Sequence, residues 1–335
     1  MNIAIITNVN IFVAKNLCEY LLHRKYHVYG IFKCNTNLPL NHPNLILINN
    51  DMNNYASVFE LFKKFEKIDT TIEVYNFNDF ENDYDNNIEI FSKNIMSTLY
   101  ILQSIISLSL EERVKVFQPH TTDLFGKVQD IPQKESTNFQ PFNIKGISSL
   151  SNYWLIRHYR AKYNIFACNC ILYNIEGPYK HENSLSQQIS KSLMNDKYIL
   201  KIGNLHSSRD WIHIDDILDG IFKMMNSTKS DDIIFASFES HTIKEFIEIS
   251  YSINNIKIKW IGEGFFEKGY NSKTNQLLVE VSESMIKTTN NNYLLGNNTK
   301  AYKLYNWEPK NTFSDLIKII IPIVKKEKKK KYICF

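Results

Sequence analysis

Residues 2–32 read NIAIITNVNIFVAKNLCEYLLHRKYHVYGIF. Asn2–Thr7 is a short unbroken apolar run, the pattern of a strand buried on both faces of a parallel sheet. Val13, Leu17, Leu21 and Leu22 then recur at helical spacing and predict a helix to about Arg24. His27–Phe32, HVYGIF, predicts a second strand. Strand, helix and strand within about thirty residues make a βαβ unit, which opens nucleotide-binding α/β folds. The expectation is a doubly wound, Rossmann-like parallel sheet carrying a smaller C-terminal substrate-binding lobe.

The same alternation continues. Leu45–Ile48, Thr71–Tyr75, Val114–Phe117 and Ile165–Leu172 predict further strands. Ala56–Glu66, Ile88–Leu108 and Ser148–Tyr163 predict the helices between them. Beyond about Asn174 the loops lengthen and shorter helices are expected at Ser184–Met194, Asp215–Met225 and Thr242–Ile253. The expected organisation is a nucleotide-binding lobe over 1–173, a cap lobe over 174–324 with elements returning to the sheet, and a tail over 325–335.

Composition narrows the function classes. The tail Lys325–Lys331, KKEKKKK, carries six lysines and one glutamate, more than the whole-chain net charge of +4. The remainder is close to neutral, so no basic groove for nucleic acid is expected. Five cysteines without framework spacing predict reduced thiols, and no metal site is expected. Cys168 and Cys170 lie two apart on an apolar strand and read as small buried hydrophobes. No apolar run is long enough to span a bilayer. A cytoplasmic protein is expected.

Glycine is scarce, at 10 in 335 residues, where an average chain has roughly 7%. The turn after the first strand shows where it is missing. A dinucleotide site uses glycine there so that backbone can approach a pyrophosphate at a helix N-terminus. This chain has Asn8, Ile11 and Ala14 at that spacing. Asn8 tolerates a positive φ and keeps a turn available. Ile11 is β-branched and places a side chain where phosphate would meet backbone.

Further along, Val116–Trp154 reads VFQPHTTDLFGKVQDIPQKESTNFQPFNIKGISSLSNYW. It resembles the catalytic stretch of GDP-mannose 4,6-dehydratases, a family of extended short-chain dehydrogenase/reductases. FGKVQDIPQKEST is the most specific part of that match. Arg209-Asp210-Trp211, His213 and LLGNNTKAYKLYNWEPK at Leu294–Lys310 extend it. The resemblance implies NADP as cofactor, GDP-mannose or a related sugar nucleotide as substrate, and a place in the GDP-fucose precursor pathway. It implies a homo-oligomer, dimer or tetramer, paired through the helices before and after the fifth strand. A hetero-oligomer with an active homologue is the other arrangement.

Residue by residue, the resemblance puts the family's catalytic Thr on Thr121 and its Glu on Asp123. The Tyr and Lys positions fall on Lys145 and Ser149, so the acid/base pair is missing. The cofactor positions are Asn8, Ile11, Lys33, Asp51 and Met52; Asp79 and Glu81 stand near the phosphate path. The substrate positions are Asn174, Glu176, Lys180, Arg209 and Lys287, the last within Lys287-Thr288-Thr289-Asn290. An arginine suits a diphosphate because its fork bonds two oxygens; RDW also reads as a buried salt bridge beside a packed tryptophan. These residues predict a catalytically impaired relative that binds a sugar nucleotide or pairs with an active subunit. A working NADP-dependent lyase and a ligand-free scaffold are the alternatives.

Overall fold

The structure is a computed structural model, and it describes residues 2–33, 41–78, 87–178, 180–195, 197–285 and 293–321. Cys34, Asp79, Glu81, Tyr179, Lys287, Thr288, Thr289, Asn290 and the lysine-rich tail lie outside the described residues.

Seven parallel strands form the central sheet: β1 (Ile3–Ile6), β2 (His27–Phe32), β3 (Leu45–Asn49), β4 (Ile72–Tyr75), β5 (Val114–Thr121), β6 (Phe166–Leu172) and β11 (Asp232–Phe235). Their order is β11-β6-β5-β4-β1-β2-β3, so the chain winds one way from β1 to β3 and then the other. The crevice at this reversal is where open α/β sheets bind ligands. Alternation along β1 shows how both faces are buried. Ala4 and Ile6 join one apolar cluster with helices α1 (Phe12–His23) and α6 (Ile214–Met225). Ile3 and Ile5 join the other, with α2 (Tyr55–Lys63), α3 (Asn87–Ser107) and α4 (Ile144–Tyr163).

Between β6 and β11 come β7 (Asn174–Glu176), α5 (Leu185–Met194), β8 (Leu200–Ile202), β9 (Ser208–Arg209) and β10 (Trp211–His213). After β11 come β12 (His241–Thr242), α7 (Ile243–Ser252), β13 (Ile258–Ile261), β14 (Lys268–Asn271), β15 (Leu277–Val281) and α8 (Thr299–Tyr305). A last helix occupies 313–321. A third apolar cluster gathers Ile189, Trp211, Phe246, Val279, Leu316 and Ile320 from these elements.

Two boundaries differ from expectation, and each has a local cause. β5 runs four residues past Phe117, through Pro119. Its pairing with β4 ends at Phe117, so from Gln118 onward it bonds only β6. The missing proline N–H falls where one side of the strand is unpaired. Helix α4 starts at Ile144 rather than Ser148, because the Asn143 side chain accepts the Gly146 N–H at 2.7 Å and caps it. Cys168 and Cys170 are fully buried in β6, as expected, and burial pushes the Cys168 thiol up to about 12.

Candidate functional site

Asn8 adopts φ 47°, so the turn after β1 survives without glycine. Its Nδ2 donates to the Phe77 carbonyl at 2.6 Å and ties this turn to the end of β4. Ile11 occupies the position before α1 in extended conformation and gives the helix no side-chain cap. Its side chain points inward and is only 9% exposed. Val9, Ile11, Phe12 and Phe77 belong to one apolar cluster with Ile175 of β7 and Ile214 of α6. Hydrocarbon thus joins the β1–α1 turn to the elements that cover the crevice. One cavity here measures about 160 Å³ and is lined by Ile11, Val13, Phe77, Asn78, Pro119, His120, Thr121 and Leu172. Ligand pockets usually measure roughly 300–1,000 Å³. Within it, Asn78 Nδ2 is a buried donor without a partner among the described residues, a place for an acceptor the size of water.

The other cofactor candidates are already engaged. Lys33 Nζ lies 2.7 Å from Asp51 Oδ2, and both are exposed. Met52 is buried in the cluster beneath β2.

At the end of β5, Thr121 Oγ1 accepts the Asp123 N–H at 3.0 Å and starts the short turn Thr122–Phe125. Gly146 lets α4 meet this turn, since a Cβ there would sit 2.5 Å from the Asp123 carbonyl oxygen. Lys145 and Ser149 fall four residues apart on one face of α4. Lys145 is half-buried; Ser149 is fully buried.

Ser149 meets His120, a residue the sequence reading passed over. Asn169 of β6 donates its amide to Asp232 Oδ1 at 2.8 Å and to the Tyr153 carbonyl at 3.2 Å. Its Oδ1 therefore faces His120 Nε2 at 2.7 Å, and that nitrogen carries the proton. His120 Nδ1 is left as acceptor for the Ser149 hydroxyl at 3.2 Å. Burial pushes the His120 pKa down to about 4, so the ring is neutral. Burial acts to raise the pKa of Asp232, but Arg160 at 2.8 Å outweighs it and holds the carboxyl below its ordinary value. The order Ser149, His120, Asn169 has the form of a nucleophile, a base and its orienter. Ser149 is 0% exposed and His120 2%, with His120 at the wall of the cavity that Thr121 also lines. Tyr153 offers no replacement phenolate: burial and then Asp232, bonded to its hydroxyl at 3.0 Å, raise its pKa.

On the covering elements, Glu176 is buried and bonded to Lys180 at 3.0 Å and to Ser186 at 2.7 Å. Lys180 also donates to the Ile175 carbonyl at 2.6 Å. The Asn174 side chain has no hydrogen-bond partner among the described residues, although its backbone pairs β7 with β10. Arg209 and Asp210 form no ion pair with each other. The only hydrogen bond of the Arg209 guanidinium among the described residues goes to the Ser208 carbonyl, at 2.9 Å. Burial pulls its pKa below the ordinary value, and the Asp123 charge acts the other way. Arg209 is therefore a desolvated cation with unused donors, beside Asp123.

Asp210 is structural. It accepts from Ser237 N and Oγ at 2.7 Å, and from Phe238 N and Gly296 N at 3.1 Å. Gln133, of the QDIPQKEST loop, accepts from Tyr173 and from the Leu295 N–H, both at 3.0 Å. The three stretches with the strongest sequence signature thus meet in one hydrogen-bonded knot around Gly296.

The reversed seven-stranded parallel sheet, with α4 running past the end of β5, defines a Rossmann-type protein of the extended short-chain dehydrogenase/reductase class. The profile of the family described as GDP-mannose 4,6 dehydratase matches residues 5–320, and the chain belongs to that family. It is 35% identical to the GDP-mannose 4,6 dehydratase of Dictyostelium discoideum over 230 residues, which span 68% of this chain and 65% of that protein. It is 29% identical to that of Homo sapiens, covering 96% of this chain and 90% of the relative. Among solved structures, the fold resembles dTDP-glucose 4,6-dehydratase from Bacillus anthracis in complex with NAD. That match has a TM-score of 0.79 and 17% identity over 98% of each chain. Among the described residues, no helix is long and apolar enough to cross a membrane.

Proposed function

We propose that this chain is a catalytically silent GDP-mannose 4,6-dehydratase relative that has kept a sugar-nucleotide site and given up its dinucleotide site. The observation that supports the reading is the apolar lining of the crevice beside the β1–α1 turn. Ile11, Phe12 and Phe77 share an apolar cluster with Ile175 and Ile214 where the resemblance would put NADP, and Ile11 and Phe77 line a cavity of about 160 Å³ there. This lining offers a pyrophosphate no glycine-rich backbone cradle, which supports loss of the dinucleotide site.

The acid/base positions support the same reading. Lys145 and Ser149 replace the tyrosine and lysine, and the Ser149 hydroxyl is consumed by neutral His120. What persists is recognition. Arg209 supplies unused donors for a diphosphate, with Asn174 as a free amide on the adjoining strand and Thr121 and Asp123 at the sugar end. In this reading residues 1–173 are the inherited nucleotide lobe and 174–324 the sugar-nucleotide lobe. Exposed Phe91 on α3, with Ile147 and Trp154 on α4, favours pairing with a second copy or an active homologue.

The test is thermal unfolding of the purified chain with GDP-mannose, GDP and NADPH separately, beside an assay for GDP-4-keto-6-deoxymannose. A ligand at about 100 times its Kd adds roughly 2.7 kcal/mol. The expected result is a shift with GDP compounds, lost in Arg209→Ala, and no product. Product from this chain alone would sink the proposal.

A further inference from the structure

The β13–β14 hairpin projects a surface that sugar-nucleotide binding does not use. Ile261, Phe265 and Phe266 are 52%, 61% and 81% exposed. Gly262 and Gly264, at φ 87° and 57°, turn the chain so that the two rings stand at the tip. A Cβ on Gly262 would come 2.3 Å from the Phe266 carbonyl oxygen. A chain with 10 glycines thus places two of them at this tip.

The base of the hairpin is fixed. Glu267 is buried and accepts from Lys244 at 2.6 Å and His206 at 2.7 Å. The inner-face Trp260 donates to Glu248 at 2.6 Å, and Lys244 lies over its ring. Alternation then sorts the outer face. Lys259 and Ile261 point outward from β13, and Lys268 stands opposite Ile261 on β14. Lys257 continues the row, and Lys257, Lys259 and Lys268 are all exposed. None of the three forms an ion pair among the described residues. Glu280, opposite Lys268 on β15, is instead 3.8 Å from Lys201. Glu263 is the exposed acid at the tip.

We infer that this hairpin docks the protein on an anionic lipid surface, with Phe265 and Phe266 entering the acyl boundary and the lysines at headgroup level. Exposed rings at a hairpin tip, beside ammonium groups that form no ion pair among the described residues, suit a deformable anionic interface.

The experiment is flotation of the full chain with vesicles of phosphatidylcholine alone and with roughly a third phosphatidylserine. Binding is expected only to the anionic vesicles, weakening with salt. Phe265→Ser with Phe266→Ser, and separately Lys257→Glu, Lys259→Glu and Lys268→Glu together, should each weaken it by roughly tenfold or more. All these positions are exposed, and unchanged melting confirms that the variants fold. No binding to anionic vesicles at low salt overturns the inference, as does binding that survives both sets of substitutions. Self-association without vesicles that the phenylalanine changes abolish would assign the tip to a second copy and also overturn it.

Discussion

His120 Nδ1 accepts the Ser149 hydroxyl at 3.2 Å, at the α4 position that the family resemblance assigns to a lysine. The ring is held by Asn169 on its other nitrogen at 2.7 Å, so Ser149 faces a neutral, buried imidazole.

Ser149→Lys should therefore destabilise the protein. It would bring an ammonium into a fully buried site with no carboxylate partner there. The expected loss is about 3 kcal/mol or more, read by urea unfolding. Lys145→Tyr combined with it should yield no product, because Ile11 and Phe77 still line the crevice beside the β1–α1 turn.

Acid sensitivity follows from the same histidine. Its pKa falls from an ordinary 6.5 to about 4 on folding, so protons favour the unfolded chain. The stability it contributes is complete above pH 6.5 and drains as pH falls toward 4, by about 3 kcal/mol in all. Asp210, raised to about 6 from 3.8, works in the opposite sense: its contribution is present below 3.8 and lost as pH rises through 6. Comparing wild type with His120→Gln cancels Asp210 and isolates the histidine. The variant should lose less stability between pH 7 and 4.

Asp210→Ala should be among the most damaging changes in the covering elements. It orphans donors from Ser237, Phe238 and Gly296 and frees Phe238 from φ 65°. A loss of about 3 kcal/mol in chemical denaturation is expected. Arg209→Ala, next door, should leave unfolding nearly unchanged or slightly improve it, because its half-buried cation has no carboxylate partner within bonding distance among the described residues. Neighbouring residues of one motif thus divide into a structural and a binding role.

Much of this was legible in the sequence. The alternation of apolar runs gave the sheet and its order of winding, and Asn8 was readable as the residue able to replace a turn glycine. Other features depend on distant residues meeting. Nothing near His120 in sequence announces Ser149 and Asn169 as its partners. Phe77 lines the crevice beside Ile11 only because β4 ends next to the β1 turn. Lys33 and Asp51 read as separate cofactor contacts, yet the adjacent ends of β2 and β3 bring them together. The alternative reading of Arg209-Asp210-Trp211 as a buried salt bridge is not what the fold gives: the carboxylate goes to donors of Ser237, Phe238 and Gly296, and the arginine is left beside Asp123.

Reopening the crevice should reverse part of this history. Ile11→Gly with Phe77→Ala removes two buried side chains and should cost about 4 kcal/mol or more in unfolding free energy. If the variant remains folded at low temperature, it should quench or shift NADPH fluorescence more than wild type does.

The most direct measurement is calorimetric titration of the purified full chain with NADPH. The glycine-free, apolar crevice lining predicts no saturable heat at concentrations that saturate ordinary dehydrogenases, while GDP-mannose titrates and Arg209→Ala abolishes that titration. Saturable NADPH binding with a Kd near or below about 1 μM would contradict the account, because it would require Ile11, Phe12 and Phe77 to leave the positions described here.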